Sequence, residues 1–160
     1  MMRDFATVWS ERGLLLSGLG NTVLLSVLAG LAALVLGALL STLLMSPRKL
    51  LSLPAKWLVD LARCTPFLLF AYIVYYGLPS LGLQFDAWSA GLFALTAYHA
   101  AYMAEILRAA WAAQPRAPIE AGMAFGYSGL GLFRRIVLPP LALSSAPVLG
   151  NQLIQIIKDS

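Results

Sequence analysis

Long stretches without a charged side chain alternate with short charged segments along the chain. No Asp, Glu, Lys or Arg occurs within residues 13–47, 64–85, 87–104 or 136–157. Crossing a hydrocarbon core of ~30 Å takes ~20 helical residues, so each stretch is a candidate membrane span. The first stretch is too long for one crossing, and a turn is expected at Gly18-Leu19-Gly20, ahead of its helix. The predicted spans are residues 21–45, 57–78, 88–111 and 140–157.

Small residues recur at helical spacing within two of these spans. The first span carries Ser26, Gly30, Ala33, Gly37 and Ser41, and the third carries Ala94, Ala97, Ala101 and Ala104. Helices in lipid associate by close backbone approach, which small side chains permit. We therefore predict that these two faces are helix-packing seams. Pro66 and Pro147 predict kinks in the second and fourth spans, because a proline leaves a carbonyl without its helical partner.

Composition supports a membrane protein and excludes several other classes. The 160 residues are 60% hydrophobic and 11% charged, whereas a soluble domain carries about 25% charged residues. The net charge of +4 does not indicate a nucleic-acid partner, because the basic residues are spread through loops. A single cysteine, Cys64, excludes an internal disulfide and a thiolate metal cage.

The distribution of basic residues predicts the orientation of the chain. Four lie between the first and second charge-free stretches and four between the third and fourth: Arg48, Lys49, Lys56 and Arg63, then Arg108, Arg116, Arg134 and Arg135. On the opposite side, Arg3 and Arg12 are offset by Asp4 and Glu11, and Asp86 stands alone. By the positive-inside rule both basic loops are cytoplasmic and the N-terminus is outside.

Few side chains within the spans could carry chemistry. Glu105 and Arg108 lie three residues apart on one face of the third span, where ionisable groups tend to be paired or functional. An anchoring salt bridge and a functional role are both open for this pair. His99 is not at a metal-ligand spacing from Glu105 and is expected to pack among helices. No catalytic triad, paired carboxylates or phosphate-binding loop can be assembled, so no enzyme active site is predicted.

The segment "IEAGMAFG", residues 119–126, interrupts the hydrophobic pattern. Pro118 and Gly126 bracket it in the positions that favour the start and the end of a helix. We predict a short helix over 118–125, with Glu120 in its first turn and Gly126 at a left-handed position after it. A second short helix is expected from Tyr127 to Pro139. The segment is either an amphipathic linker on the membrane surface or a knob that fits a cytoplasmic partner.

The sequence "IEAGMAFGYSGLGLFRRIVLPPLA" (119–142) resembles the EAA loop of the membrane permease subunits of bacterial ABC importers. The positions that match this loop are Glu120, Ala121, Gly126, Leu138 and Pro139. Further segments resemble the polar amino acid branch of these permeases and occur in the same order: "GNTVLLSV" (20–27), "ARCTPFLL" (62–69), "YYGLP" (75–79), "AAYMAEILRAA" (100–110) and "GNQLIQIIKDS" (150–160). The resemblance covers nearly the whole chain.

The resemblance implies an all-α integral membrane protein, a polytopic helix bundle forming one permease domain over 1–160. Its cytoplasmic EAA loop, 112–138, would contain a coupling helix. A fifth span is expected beyond the end of this sequence, which would make the domain C-terminally truncated. Lys158 and Asp159 are candidate residues of the pathway or its gate.

The resemblance also implies the partners and the location. Two permease subunits, identical or homologous, would form the pathway for a polar amino acid in the bacterial cytoplasmic membrane, surrounded by lipid. Two cytoplasmic ATPases would bind ATP and Mg²⁺, and an external binding protein would deliver the amino acid. This chain itself would hold no cofactor and would not be an enzyme.

Some positions depart from the family pattern. Gly122 stands in place of the second alanine of the loop, which is expected to loosen the short helix and weaken docking. Ala117-Pro118, Pro140 and Cys64 also differ from the usual residues. Two alternatives remain, a membrane scaffold or assembly subunit without transport and a small polytopic membrane enzyme. A transporter should show polar groups around a central cavity, a scaffold should pack dry there, and an enzyme should show a cleft with acid-base groups.

Overall fold

The computed structural model describes residues 9–160, and these residues are helical with no β-strand among them. The helices, numbered in chain order, are α1 (Arg12–Leu44), α2 (Lys49–Cys64), α3 (Phe67–Tyr72), α4 (Ala87–Ala112), α5 (Arg116–Ala124), α6 (Gly129–Leu132) and α7 (Leu138–Asp159). A π-helical segment, Ile73–Gly77, and a 3₁₀ turn, Leu78–Leu81, continue α3, and a second π-helical segment, Phe133–Val137, joins α6 to α7. The predicted all-α fold is confirmed. Arg3 and Asp4 lie outside the described residues.

Two helical stretches, Arg12–Leu44 and Gly129–Asp159, are long and apolar enough to cross a membrane. The bent pair Lys49–Cys64 and Phe67–Ser80 adds a third if it is counted as one crossing. The predicted count of four spans therefore stays a prediction. The turn expected at Gly18-Leu19-Gly20 is wrong, because α1 is a continuous helix of 33 residues. A glycine costs a helix only about 1 kcal/mol relative to alanine, too little to break it here.

The second predicted span, 57–78, is not one helix. Helix α2 ends at Cys64, Thr65 is extended at φ −100° and ψ 135°, and α3 begins after Pro66. The proline ring disfavours helical backbone at the residue before it, which explains the extended Thr65. The two helices meet at 109°, so the expected kink is a complete break. Pro147, by contrast, lies inside the uninterrupted α7.

Helix α4 forms the centre of the bundle and packs mainly against α1 and α7. The predicted seam of α1 is buried at all five of its positions, and that of α4 is buried at Ala94, Ala101 and Ala104 and half-buried at Ala97. Both seams are confirmed. Ile156 of α7 is 0% exposed and lies close to Gly30 of α1. Many leucines of α1 point away from the bundle and remain exposed, as expected for a helix whose outer face meets lipid.

Asp86 caps the first turn of α4. Its carboxylate accepts hydrogen bonds from the backbone N–H of Trp88 at 3.1 Å and of Ser89 at 3.4 Å, and from the Ser89 hydroxyl. The Ser89 hydroxyl and these N–H groups stabilise the charged form and lower the pKa of Asp86 below its ordinary value of 3.8. The cap fixes the start of α4 in the segment that follows α3.

Candidate functional site

The short helix of the loop lies close to its predicted position but begins two residues earlier. Helix α5 starts at Arg116, and the extended Pro115 precedes it. Pro118 is therefore the third helical residue, where its missing N–H still costs no helical hydrogen bond. Glu120 is the fifth residue and exposed. The placement of Glu120 in the first turn, next to the positive end of the helix dipole, is wrong.

The end of α5 is a Schellman motif built on Gly126. The Tyr127 N–H donates to the Gly122 carbonyl and the Gly126 N–H donates to the Met123 carbonyl, both at 3.0 Å. Gly126 has a φ of +86°, in the left-handed region that disfavours a Cβ. The predicted conformation of Gly126 is confirmed, and its role in coupling stays a prediction.

Helix α5 rests on the helical segment that follows it. Gly122 is buried, and a Cβ at this position would overlap Ile136 Cδ1 and lie 2.9 Å from Leu132 Cδ1. The glycine therefore lets α5 approach the side chains of the next segment closely. The expectation that Gly122 loosens the helix overlooked this close packing.

Two contacts attach the loop to the end of α4. The Gln114 side-chain amide donates to the Val137 carbonyl at 3.1 Å, and the rings of Trp111 and Phe133 stack with centroids 6.0 Å apart. Sequence reasoning missed both contacts, although two aromatic residues flanking the loop were a visible signal. The loop is thus fixed to α4 and α7 rather than hanging freely between them.

Several side chains of α5 have no partner among the described residues. Glu120 and Ala121 are exposed, Met123 is 52% exposed and Phe125 is 84% exposed. One carboxylate beside two large apolar side chains is a surface suited to a protein groove. Leu138 and Pro139, the other matching positions, are exposed at the start of α7.

Glu105 and Arg108 form the expected pair near the end of α4. Arg108 donates from Nε to Glu105 Oε2 at 2.7 Å and from Nη2 to Glu105 Oε1 at 2.6 Å. This bidentate geometry is the strong form of a carboxylate–guanidinium contact, and the two opposite charges neutralise each other. Its location within a membrane stays a prediction.

The single histidine lies in a buried polar cluster. His99 is 0% exposed, and the Gln152 amide lies 2.6 Å from its Nδ1. Its Nε2 is 3.4 Å from Asp159 Oδ2, a close charge contact rather than a well-formed hydrogen bond. The prediction that His99 packs among helices is confirmed. Sequence reasoning singled out Asp159 but missed that it shares a helical face with Gln152. Lys158 is exposed.

Two tyrosines of α4 satisfy carbonyls at the break between α2 and α3. The Tyr98 hydroxyl donates to the Thr65 carbonyl at 3.1 Å, and the Tyr102 hydroxyl donates to the Arg63 carbonyl at 3.2 Å. The Arg63 guanidinium also lies over the Tyr102 ring, 5.4 Å from its centroid. These partners, which the sequence did not reveal, make the break stable inside an apolar bundle.

A cleft of about 610 Å³ opens beside this break, between α2, α4 and α7. Its polar lining includes Arg63, Tyr102, Glu105, Gln114, Ser144 and Ser145. The rest of its lining is apolar, including Ile106 and Val148, so the cleft holds some of the polar groups expected of a transporter. Within the described part of the chain, no group of three His, Cys, Asp or Glu side chains could hold a metal ion.

The fold defines a multi-pass helical membrane protein in which the short helix α5 is exposed on a loop between α4 and α7. The chain belongs to the family of binding-protein-dependent transport system inner membrane components, which matches residues 15–160. It is therefore a multi-pass protein of the inner membrane.

Relatives in this family are amino acid permeases. The probable amino-acid ABC transporter permease YckA of Bacillus subtilis is 35% identical over 91% of this chain and 64% of its own length. The probable glutamine permease GlnM of the same organism is 33% identical over 91% of this chain and 67% of its own. The octopine permease OccM of Rhizobium radiobacter is 34% identical over 98% of this chain and 68% of its own length. The chain thus spans about two thirds of the length of these relatives.

A solved structure shows the same fold. A crystal structure of an amino acid ABC transporter with histidines superposes with a TM-score of 0.88 at 30% sequence identity. The match covers 97% of this chain and 72% of the other. The helical arrangement described above is thus that of an ABC permease.

Proposed function

We propose that this chain is a pathway-forming subunit of an ATP-driven importer of a polar amino acid, and that α5 couples it to a cytoplasmic ATPase. The observation that carries this proposal is the geometry of α5. The helix is fixed on the loop through Gly122, while the side chains of Glu120, Met123 and Phe125 remain exposed. Membership of the family supports it, since the relatives are named as ABC transporter permeases.

The proposed assembly contains two permease subunits, two ATPases and an external binding protein. The ATPases would bind ATP and Mg²⁺, and this chain would supply only the surface of α5. Closure of the ATPase pair would push on α5 in each subunit. The push would reach α4 through Gln114 and Trp111, and α7 through the continuous segment that begins at Gly129. The access of the pathway would then switch between the two sides of the membrane.

This mechanism requires the orientation expected from the basic residues. The loop 112–138 is cytoplasmic, the N-terminus is outside, and the four crossings are formed by α1, by α2 together with α3, by α4 and by α7. Labelling of single cysteines at position 120 from the cytoplasmic side only would support this topology. Labelling of that position from outside would exclude it.

The substrate class follows from the relatives and from the cleft. Relatives are named for glutamine, arginine and octopine, which all carry an amino-acid group and a polar side chain. The cleft of about 610 Å³ beside α4 is mostly apolar but includes several hydrogen-bonding side chains, among them Tyr102 and Gln114. We place the gate near Lys158 and Asp159, because the Asp159 carboxylate reaches the buried His99 at the far end of α7.

Two variants test coupling in the full-length chain with its partners in liposomes. Gly126→Val forces a branched side chain into a left-handed backbone, which costs roughly 1–2 kcal/mol, and Glu120→Lys reverses the exposed charge on α5. Both variants should insert normally but lose substrate-stimulated ATP hydrolysis and uptake. Gly131→Val is the matched control, because that glycine has open space around it and no positive φ. Wild-type uptake in both variants would reduce the loop to an amphipathic linker and favour the scaffold alternative.

A further inference from the structure

Helix α2 presents three distinct faces. Its inner face packs against the bundle through Ala55, which is 7% exposed, and Val59, which is 1% exposed. A second face carries Leu50, Trp57 and Leu61, which are 86%, 75% and 69% exposed. A polar stripe lies between them, because Ser52, Lys56, Asp60 and Arg63 follow one another at helical spacing.

The polar stripe of α2 faces the charged end of α4 across a pocket of about 350 Å³. Ser52, Lys56 and Asp60 line one wall, and Glu105 and Arg108 line the other. Leu53, which is 51% exposed, lies at its apolar edge. The pocket is thus both charged and continuous with the exposed apolar face of α2.

Glu105 attracts Lys56 and Arg108 attracts Asp60 across this pocket, but hydrogen bonds match its four charges only in part. Glu105 and Arg108 satisfy each other through two hydrogen bonds. Lys56 and Asp60 are four residues apart on one helix, yet the structure shows neither of them in a hydrogen bond or ion pair with any described residue. One ammonium and one carboxylate therefore remain available on the same wall. A ligand that satisfies both must itself carry a cation and an anion.

We propose that this pocket binds the headgroup of an aminophospholipid. The primary ammonium of the headgroup contacts the Asp60 carboxylate, and the phosphate contacts the Lys56 ammonium and the Ser52 hydroxyl. Charge-assisted hydrogen bonds of this kind are among the strongest available to a polar ligand. The acyl chains cover Leu53 and the exposed face around Leu50 and Trp57.

Two observations favour a lipid over a soluble molecule with the same polar groups. The apolar face of α2 continues from the edge of the pocket, so a ligand with acyl chains covers surface that a soluble zwitterion leaves in water. The exposed Trp57 is the type of residue that lies at the level of lipid headgroups. Binding here requires only that the chain lies in a membrane, so it is independent of the proposed transport activity.

The test uses the full-length protein in detergent and native mass spectrometry to count retained lipids. Phosphatidylethanolamine, phosphatidylcholine and free phosphoethanolamine are added separately. Wild type should retain phosphatidylethanolamine in preference to phosphatidylcholine, whose quaternary ammonium has no N–H to donate to Asp60. Lys56→Met and Asp60→Asn should each weaken that retention about tenfold, as expected for one lost charge-assisted hydrogen bond. Asp60→Asn should also remove the preference between the two lipids.

Lys49→Met is the matched control, because Lys49 is a cation on the same helix that does not line the pocket. It should retain phosphatidylethanolamine as wild type does. The thermal midpoint of each variant in phosphatidylcholine separates loss of the ligand from loss of the fold. Equal retention of the two lipids by wild type, or equal losses in Lys49→Met and Asp60→Asn, would overturn the proposal. Binding of free phosphoethanolamine as tight as that of the lipid would show that the ligand is a soluble zwitterion instead.

Discussion

Helix α1 approaches α4 closely at Gly37, and replacing this glycine by alanine should force the two helices apart. A Cβ at position 37 would lie 2.8 Å from Met103 Cβ, 3.0 Å from the Ala100 carbonyl oxygen and 3.2 Å from the Ala104 nitrogen. These atoms are backbone atoms or a first side-chain carbon, so no change of rotamer can move them away. The overlap can be relieved only by shifting a whole helix.

The size of the effect follows from two opposing contributions. Overpacking of a tight core costs about 1–3 kcal/mol, while alanine stabilises a helix by about 1 kcal/mol relative to glycine. Gly20→Ala is the matched control, because it lies on the same helix with nothing within 4 Å of its added Cβ. The helix-forming contribution is common to both variants and cancels. The difference in their free energies of unfolding should therefore be about 1–3 kcal/mol.

Reversible unfolding of the full-length protein in mixed micelles, with increasing denaturing detergent, measures this difference. Gly37→Ala should unfold at a lower detergent fraction than wild type, and Gly20→Ala at the same or a higher fraction. If both variants shift equally, α1 and α4 do not approach each other at Gly37. The packing seam would then lie elsewhere on α1.

Three further predictions concern polar contacts of α4, each measured by the thermal midpoint of the full-length protein. Glu105→Gln should destabilise it, because Arg108 loses its charged partner, and Glu105→Gln/Arg108→Met should recover part of that loss. Folding lowers the pKa of Asp86, so the stabilisation by its cap should be complete above pH 3.8 and lost as the pH falls below that value. The difference in thermal midpoint between wild type and Asp86→Ala should therefore shrink over that range. Tyr98→Phe should cost roughly 1 kcal/mol and Tyr102→Phe less, because Tyr98 is the more buried hydroxyl donor.

The sequence predicted well those features that depend on local pattern alone. The limits of α4 and α7 differ from the predicted spans by one or two residues, because charged and turn-forming residues flank both helices. The seam through Gly37 was visible because small residues at helical spacing have one structural use in an apolar helix. The left-handed Gly126 was predicted from its position after a short helix.

The break at Thr65 could not be predicted from the same pattern. The chain is free of charged residues from 64 to 85, so hydrophobicity continues across the bend without a signal. A proline in an apolar sequence is compatible with an uninterrupted helix, as at Pro147, or with a complete break. What distinguishes the two cases here is the pair of tyrosine hydroxyls that α4 directs at the freed carbonyls. These partners are about 35 residues away in the chain, and only the folded structure brings them together.

Gly122 shows how a residue that departs from its family's pattern can be misread from sequence alone. If helix propensity alone is considered, a glycine in place of an alanine is expected only to weaken α5, because glycine disfavours helix formation. In the structure its missing Cβ leaves room for Ile136, so the two residues are complementary. Gly122 is buried against the loop, whereas Glu120 and Phe125 are exposed. The departure therefore changes how the helix is supported and leaves its exposed side chains in place.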